Sequence, residues 1–381
     1  MWGRTLRIVR LAGFDIKVDA SWLLIAGLIV WSLATGYFAQ TTPALSADWR
    51  LLLATLAMLG LFASLIFHEL AHALVARQFG VGTTGITLFL FGGVAELESE
   101  PKTPASEFKI AVVGPLASLF LALSFWVATH VTQELFGWTV AAAVFSYLAV
   151  VNLALALFNM VPAFPLDGGR VFRALLWSRA RDLMQATRQA VMVSSAFSWL
   201  LIALGLMGLF AGQLANGLWP MLLGLFLLAA SRGTLQKMET DLALKGRSVA
   251  DLMSRSAITA SPDLSLETLA NDIFLANAIS FAPVIEGDTL LGSIDTRTVR
   301  RIDRENWPTT TVEDVFESLS SDNTVAPNLS AQSLMERIGR TNRRKFLVVD
   351  DHQLAGVVSL SDLASFLAVS KSLHPSAAST R

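Results

Sequence analysis

Long apolar runs dominate the chain before Arg232. Six of them can be read as membrane-spanning helices, near residues 21–39, 51–76, 108–131, 138–161, 190–211 and, with the weakest apolar character, 217–230. Because an α-helix rises about 1.5 Å per residue, about 20 apolar residues cross the hydrocarbon core of a bilayer. The pattern therefore predicts a polytopic α-helical membrane domain over residues 1–240, with six transmembrane helices in contact with the lipid bilayer.

The basic residues between these runs indicate how the helices cross, because short cytoplasmic loops carry an excess of Lys and Arg. The loops predicted on the outer side, near residues 40–50, 132–137 and 212–216, contain Arg50 and no other basic residue. The N-terminal segment and the predicted inner segments contain many: Arg4, Arg7, Arg10, Lys17, Arg77, Lys102, Arg170, Arg173, Arg179, Arg181, Arg188, Arg232 and Lys237. We therefore expect a multi-pass protein of the cell (inner) membrane with both termini in the cytoplasm.

A β-rich stretch over residues 84–98 lies between the second and third apolar runs and contains the turn signal Gly92-Gly93. It is too short to cross a membrane as a helix. We expect a short membrane-associated β-hairpin. Two interpretations stay open at this point: the hairpin covers the helix ends, or it offers a strand edge beside a functional site.

A soluble α/β part follows Arg247 and contains an internal repeat. Residues 262–265 recur as residues 327–330, and Phe281 recurs as Phe346. Each copy ends in a strand, a tight turn, a second strand and a helix. This pattern predicts two cytoplasmic repeats, over residues 247–303 and 311–370, followed by a disordered tail over residues 371–381.

Composition narrows the chemistry that this chain can perform. With 53% hydrophobic and 15% charged residues, the chain is typical of membrane proteins. It has no cysteine, which excludes disulfides, iron–sulfur clusters and cysteine nucleophiles, so any metal site must use His, Asp or Glu. The net charge of −1 argues against a nucleic-acid partner, because proteins that bind nucleic acids usually carry a basic surface.

The second apolar run contains three ionisable side chains, His68, Glu69 and His72. Ionisable residues inside a membrane span are costly and indicate a functional site. His68 and His72 are four residues apart and so share a helix face, in the His-Glu-x-x-His pattern that binds Zn²⁺, with the glutamate as general base. The competing interpretation is that three polar residues line a helix interface by chance.

The pattern needs a third ligand, and Asp167 is the strongest candidate. It follows a proline-containing segment at the end of the fourth run, where irregular backbone at membrane depth requires protein or a wet cavity around it. Two histidines and one carboxylate leave Zn²⁺ an open position, which is the catalytic arrangement. The alternative is that Asp167 caps a helix that begins at Gly168-Gly169.

These residues resemble the site-2 protease family of intramembrane zinc metalloproteases (M50-type), in the branch that carries a C-terminal pair of CBS domains. The resemblance rests on the segment from His68 to His72, on Gly114-Pro115 and on the segment from Asn159 to Gly169. It implies that His68, His72 and Asp167 bind one Zn²⁺ per chain. It also implies that Glu69 is the catalytic base and that Asn159 and Pro165 help to place the substrate.

The predicted function is hydrolysis of a peptide bond in or near a transmembrane segment of a membrane-bound protein, as in regulated intramembrane proteolysis. Such a helix must unwind before its carbonyls can be attacked. An unwound segment could recover hydrogen bonds at a strand edge, which favours the edge interpretation of the β-rich stretch. We therefore expect Ile86, Leu88 and Leu90 to contact the substrate.

The repeat pair offers one candidate nucleotide site. By the resemblance, a Ser or Thr followed three residues later by Asp holds the ribose of ATP or another adenine nucleotide. Ser359 and Asp362 fit this pattern in the second repeat, whereas the first repeat has Asp295 and Thr298 in the reverse order. A module for docking or homodimerisation is an equal alternative.

Two alternatives to the protease stay open. One is a membrane transporter or channel gated by the CBS pair, although transporters usually have broken helices in corresponding places of two halves. Only the fourth run looks broken in this sequence. The other alternative is a catalytically inactive homologue that binds substrates.

Overall fold

The structure, a computed structural model, describes residues 6–89, 92–97, 100–351 and 353–373. The chain separates into two compact units, one up to Gln236 and one from Lys237 onward. Each unit has its own core, and the two are described separately.

The first unit is built from long apolar helices. The helices of this part are α1 (Ala20–Ser32), α2 (Phe38–Thr41), α3 (Ala47–Gln78), α4 (Pro104–His130), α5 (Thr139–Asn159), α6 (Asp167–Ala180), α7 (Leu183–Phe210) and α8 (Leu214–Leu244). π-Helical turns over Leu33–Tyr37 and Val131–Leu135 join α1 to α2 and extend α4.

The prediction of six transmembrane helices is confirmed. Six helical stretches of the described chain are long and apolar enough to cross a membrane: Ala20–Thr41, Ala47–Gln78, Pro104–Leu135, Thr139–Asn159, Leu183–Phe210 and Asn216–Leu244. The last is twice as long as the apolar run over residues 217–230 that predicted it. The polar residues after Ala230 end the apolar run, but they keep the helical conformation, so the helix continues.

The β-rich stretch belongs to a four-stranded sheet, so the prediction of a single hairpin was incomplete. The strands are β1 (Leu6–Leu11), β2 (Phe14–Val18), β3 (Thr83–Phe89) and β4 (Gly92–Leu97), in the order β1-β2-β3-β4. β3 and β4 form the expected antiparallel hairpin, and β2 pairs with β3 in parallel. Association of this sheet with the membrane stays a prediction.

The sheet packs its apolar face on α3. Phe14, Ile16 and Val18 are buried and alternate with polar residues along β2, as expected for a half-buried strand. Side chains of β2 and β3 form one core with residues of α1 and α3: Ile16, Val18, Ile86, Leu88, Trp22, Phe62, Ile66 and Leu70. The sheet therefore lies on the same part of α3 that carries the His-Glu-x-x-His pattern.

The second unit contains the predicted internal repeat. Its elements are α9 (Leu266–Thr268), β5 (Phe281–Glu286), β6 (Thr289–Asp295), α10 (Thr296–Val299), β7 (Glu317–Ser318), β8 (Thr324–Val325), α11 (Ala331–Thr341), β9 (Lys345–Asp350), β10 (Gln353–Ser359) and α12 (Leu360–Leu373). They form two three-stranded sheets, β5-β6-β7 and β10-β9-β8. A π-helical turn over Leu269–Leu275 extends α9.

Equivalent residues of the two repeats occupy equivalent positions. Ser265 and Ser330 each cap the helix that follows, and Leu269 and Leu334 are each fully buried. The predicted disordered tail is partly wrong, because Lys371–Leu373 is the last turn of α12. The remainder of that tail, residues 374–381, lies outside the described residues.

Candidate metal centre

His68 and His72 lie one turn apart on α3 and are buried in the first unit. Their side chains are only 3% and 4% exposed. The two imidazoles point the same way because residues four apart share a helix face. Their Nε2 atoms lie 3.2 Å apart.

Asp167 begins α6 and completes the group. Its Oδ2 atom lies 3.2 Å from His68 Nε2 and 3.1 Å from His72 Nε2. The segment before it is irregular and contains a cis peptide bond between Phe164 and Pro165. Three potential ligand atoms from two distant parts of the sequence therefore converge on one point.

Gly168 and Gly169 allow the irregular segment to fold back against the start of α6. A Cβ atom on Gly169 would stand 2.7 Å from the carbonyl carbon of Ala163. A Cβ atom on Gly168 would overlap the backbone of Met160. The two glycines thus explain why Asp167, at the first position of α6, can reach α3.

The hydrogen bonds of the two Nδ1 atoms determine which imidazole nitrogens can bind a cation. His72 Nδ1 lies 2.6 Å from the carbonyl oxygen of Ile110, and His68 Nδ1 lies 2.8 Å from Ser118 Oγ. A carbonyl only accepts, so His72 Nδ1 carries the proton and its Nε2 presents a lone pair. The Ser118 hydroxyl can accept in the same way from His68. In this tautomer both Nε2 lone pairs and the carboxylate oxygen face one another, and a bound cation would hold the three atoms together.

The distances also suit zinc. In a tetrahedral site with bonds of about 2.0–2.1 Å, neighbouring ligand atoms lie about 3.3 Å apart. The three distances of 3.1–3.2 Å among these atoms agree with that value. The His-His-Asp group can therefore hold a Zn²⁺ ion with one position left open.

α4 approaches the group most closely at Gly114. A Cβ atom on Gly114 would stand 2.7 Å from His68 Nε2 and would overlap the ring of His72. Any side chain at this position would fill the space in which the ligand atoms meet. The absence of a side chain on Gly114 is thus part of the centre.

The Asp167 carboxyl is deeply buried, at 8% exposure. A buried carboxylate needs a cation or hydrogen-bond donors around it. Because the Nε2 lone pairs of both imidazoles lie against its Oδ2 atom, a bound cation would meet that need.

Glu69 lies beside this group and against β4. Its side chain is half-buried, and a Cβ atom on Gly93 would stand 3.0 Å from Glu69 Oε1. β4 can pass this close because Gly93 has no side chain. Among the described strands, β4 pairs only with β3, so its other edge faces outward from the sheet.

The predicted substrate residues divide into two groups. Asn159 ends α5, and Pro165 is exposed in the segment before Asp167. Within the described part of the chain the Asn159 side chain makes no hydrogen bond, so it does not cap its own helix. Both positions remain available for a substrate.

The prediction for β3 is wrong. Ile86 and Leu88 are fully buried in the core beneath the sheet, and β3 is paired on both sides, with β2 and with β4. Neither the side chains of Ile86 and Leu88 nor the backbone edges of β3 can contact a substrate. The third residue of that prediction, Leu90, lies outside the described residues.

The candidate nucleotide residues form a helix cap in the second repeat. Ser359 N and Ser359 Oγ both donate to Asp362 Oδ2 at 2.7 Å, at the start of α12. In the first repeat Asp295 Oδ1 accepts from Thr298, and Asp295 Oδ2 accepts from Arg297. Both oxygens of Asp295 are therefore used.

Three contributors to the centre were missed by sequence reasoning: Ile110, Gly114 and Ser118. Gly114 belongs to the Gly114-Pro115 part of the family resemblance, but the residue type alone does not indicate that it leaves room for the ligand atoms. Ile110 contributes a backbone carbonyl, which leaves no signal in the residue type. A serine in a membrane helix is common, and only the contact with His68 distinguishes Ser118.

Family models match both units of the chain. The model described as peptidase family M50 matches residues 56–143 and 131–203, and the CBS domain model matches residues 249–305 and 307–369.

Relatives match along nearly the whole length. "Putative zinc metalloprotease Rip3" of Mycobacterium tuberculosis is 36% identical over 368 residues, which are 96% of this chain and 93% of that protein. "Putative zinc metalloprotease sll0528" of Synechocystis is 32% identical over 377 residues, 98% of this chain and 96% of that protein. The solved "Site-2 Protease from Methanocaldococcus jannaschii" is 24% identical and covers 60% of this chain and 94% of its own, with a TM-score of 0.41.

Six helices able to cross a membrane and a buried His-His-Asp group define the class of a membrane metallopeptidase. The chain belongs to peptidase family M50, as a zinc metallopeptidase of the site-2 protease type with a C-terminal pair of CBS domains. The family resemblance found in the sequence is thereby confirmed. Membership of a peptidase family favours the enzyme over the transporter or channel.

Proposed function

We propose that this peptidase cleaves a transmembrane segment of a membrane-bound partner protein, in regulated intramembrane proteolysis. The observation that carries the proposal is a potential metal site buried among helices long enough to cross a membrane. A peptidase that acted on soluble chains would have no need to place its polar groups at this cost.

Each side chain has a separate role in this proposal. His68, His72 and Asp167 would hold one Zn²⁺, which supplies a Lewis acid able to polarise a carbonyl and to lower the pKa of water. Glu69 accepts a proton from the attacking water and transfers it to the leaving amide nitrogen. The water oxygen first adds to the carbonyl carbon, and the carbon–nitrogen bond breaks afterwards, when the nitrogen has received the proton. The products are a carboxylate and an amine.

The outer edge of β4 takes the role first expected of β3. A transmembrane helix must unwind at the scissile bond, and its freed N–H and C=O groups need partners in a membrane. β4 offers backbone partners on its open edge, and because Gly93 has no side chain, Glu69 packs directly against the face of this edge strand. Asn159 supplies a side-chain amide for the same unwound backbone.

The site is proposed to face the cytoplasmic half of the cell membrane. The second span enters from the outside in the predicted topology, so His68 lies about 25 Å below Leu51 along α3. Cleavage there would release a cytoplasmic fragment of the partner protein. Cysteine-accessibility labelling of single cysteines introduced at the two termini would test this orientation, since the chain contains no cysteine of its own.

The proposed activity can be tested before any substrate is known. Cells that express the wild-type chain would be compared with cells that express Glu69→Gln, by mass spectrometry of new protein termini. We expect termini inside predicted transmembrane segments that depend on Glu69. Identical termini in both strains, or Glu69-dependent termini only in soluble domains, would contradict the proposal.

We also propose that the CBS pair binds one adenine nucleotide, such as ATP, at the second repeat. Asp362 Oδ1 makes no hydrogen bond with the described residues, so it can accept from ribose hydroxyls. The cavity beside Asp295 and Thr298 of the first repeat is also lined by Arg343 and Lys345 of the second, and it measures only about 20 Å³, which is room for one water molecule. One nucleotide per chain is therefore expected.

Calorimetry on the purified chain tests this part of the proposal. ATP, ADP and AMP would be titrated into wild-type protein and into Asp362→Ala, with exposed Asp303→Ala as the matched control. No heat with any of the three, or the same titration in Asp362→Ala, would remove the nucleotide site. A homodimer through the CBS domains is tested on the same sample by light scattering with and without the nucleotide.

A further inference from the structure

A buried ion pair joins the two helices on either side of the metal centre. Arg173 lies on α6 and is 3% exposed, and Glu107 lies in the first turn of α4 and is 0% exposed. Arg173 Nε donates to Glu107 Oε1 at 2.7 Å, and Arg173 Nη2 contacts the same oxygen. No step of the proposed reaction uses either residue.

Stability alone does not account for this pair. Among the described residues neither Glu107 Oε2 nor Arg173 Nη1 has a hydrogen-bond partner, and both atoms are buried. A buried polar atom without a partner costs about 1–3 kcal/mol. Buried ion pairs can often be replaced by apolar residues without loss of stability. Apolar side chains would therefore stabilise the packing of the two helices about as well, but they would lack the directed hydrogen bonds that fix the spacing of the helices.

The pair connects two helices that each contribute to the metal centre. α6 begins with Asp167, the carboxylate of the group. α4 supplies the acceptors for both imidazoles, the carbonyl of Ile110 and the hydroxyl of Ser118. Ile110 follows Glu107 by less than one helical turn. The ion pair thus fixes the helix of the carboxylate against the helix that orients the histidines.

The same guanidinium has two further contacts. Arg173 Nη2 donates to Glu100 Oε2 at 2.9 Å, and Glu100 is exposed in the segment that follows β4. Arg173 Cζ lies 5.4 Å from the centre of the Phe164 ring, next to Pro165. Arg173 therefore also contacts Glu100, which comes after β4 in the sequence, and the segment before Asp167.

We propose that Arg173 is a positioning residue with two separable contacts. Through buried Glu107 it sets the distance between Asp167 and the two imidazoles. Through exposed Glu100 it holds β4 beside Glu69. The second contact rests on the proposed function, because β4 matters there as the edge that receives the substrate.

Zinc affinity tests the Glu107 contact without any substrate. Zn²⁺ would be titrated against a chelator on full-length protein in detergent, and the visible spectrum of bound Co²⁺ would report ligand geometry. In the double variant Glu107→Leu/Arg173→Leu we expect zinc affinity to fall about 10–100-fold, with a changed Co²⁺ spectrum and an unchanged melting temperature.

A second variant covers the case in which the double variant does not fold. Glu107→Gln keeps the size of the side chain and removes its charge, and we expect the same direction of change in zinc affinity. Arg173→Lys keeps the charge and should restore part of the affinity relative to Arg173→Leu. The proposed role of the Arg173–Glu107 contact would be overturned if Glu107→Gln and the folded double variant both kept the zinc affinity and the Co²⁺ spectrum of the wild type.

Hydrogen exchange tests the Glu100 contact. In Glu100→Gln we expect the amides of Gly92–Leu97 to exchange about 10-fold faster, with zinc affinity within about two-fold of wild type. Glu134→Gln is the matched control, because Glu134 is another exposed carboxylate in a surface pair, with His130. Unchanged amide exchange in Glu100→Gln would overturn the proposed role of the Glu100 contact. Neither readout requires cleavage, so a failure of the proposed function would be seen separately.

Discussion

The backbone of Gly114 and the ring of His68 are so close that a Cβ atom on Gly114 would stand 2.7 Å from His68 Nε2. The pair shows that α4 is shaped around the metal centre. We predict that Gly114→Ala displaces both imidazoles and lowers zinc affinity at least about 100-fold while the helices still form. Chelator competition measures the affinity, and circular dichroism measures the helix content.

The matched control for that substitution is Gly233→Ala. Gly233 also lies in a long helix, α8, but a Cβ atom there would meet nothing within 4 Å. Alanine favours a helix over glycine by about 1 kcal/mol, so this control should bind zinc normally and melt no earlier than wild type. Equal zinc affinity in Gly114→Ala and Gly233→Ala would show that the close approach has no role.

Removing the acceptor of His68 should weaken the centre without removing a ligand. Ser118→Ala leaves His68 Nδ1 without its partner, and we expect zinc affinity or cleavage rate to fall about 10–100-fold. Ser124→Ala is the control on the same helix, since Ser124 is exposed and bonds only the carbonyl of Phe120. A similar loss in both variants would point to a general effect on α4.

Asp167→Asn tests the ligand role of this residue. The helix cap that the sequence left open is not found, because Leu166 is the N-cap of α6 and Asp167 is its first residue. Asparagine has the size of aspartate, but its neutral amide is a poor zinc ligand. We therefore expect an unchanged melting temperature of the zinc-free protein and a loss of bound zinc. Full zinc content in purified Asp167→Asn would remove this residue from the ligand set.

The CBS pair should lose stability in acid. Burial raises the pKa of Asp295, but hydrogen bonds from Thr298 and Arg297 outweigh it and lower the pKa below the ordinary 3.8. A carboxyl whose pKa is lowered by folding stabilises the fold at pH values above its pKa in the unfolded state. This contribution is lost as the pH falls through its pKa in the folded state. Calorimetry should show that the melting temperature falls less steeply between about pH 5 and about pH 3 in Asp295→Asn than in wild type. Asp303→Asn, at an exposed position, should follow wild type.

The helices and the metal ligands could be predicted because their signals are local. A span is a continuous apolar run, and His68 and His72 are four residues apart on one helix. Predicting Asp167 required one further step, because its position near the histidines was inferred from the proline-containing segment at the end of the fourth span. The structure brings these three side chains together as that argument expected.

The sheet and the surroundings of the site could not be predicted in the same way. Basic residues at the N-terminus were interpreted as a membrane-topology signal, which obscured the alternation of Phe14, Ile16 and Val18 in β2. The parallel pairing of β2 with β3 joins residues far apart in sequence, and it closes the edge that β3 was expected to offer. Arg173 was counted as one more cytoplasmic basic residue, because burial against Glu107 depends on how α4 and α6 pack.

The central claim is that His68, His72 and Asp167 together bind zinc. X-ray absorption at the zinc edge, on purified full-length protein, tests it most directly. We predict about one zinc per chain in a four-coordinate shell of nitrogen and oxygen at about 2.0–2.2 Å, with scattering from two imidazoles in wild type and from one in His72→Gln. Protein without zinc, or a zinc shell with imidazole scattering unchanged in His72→Gln, would contradict the account.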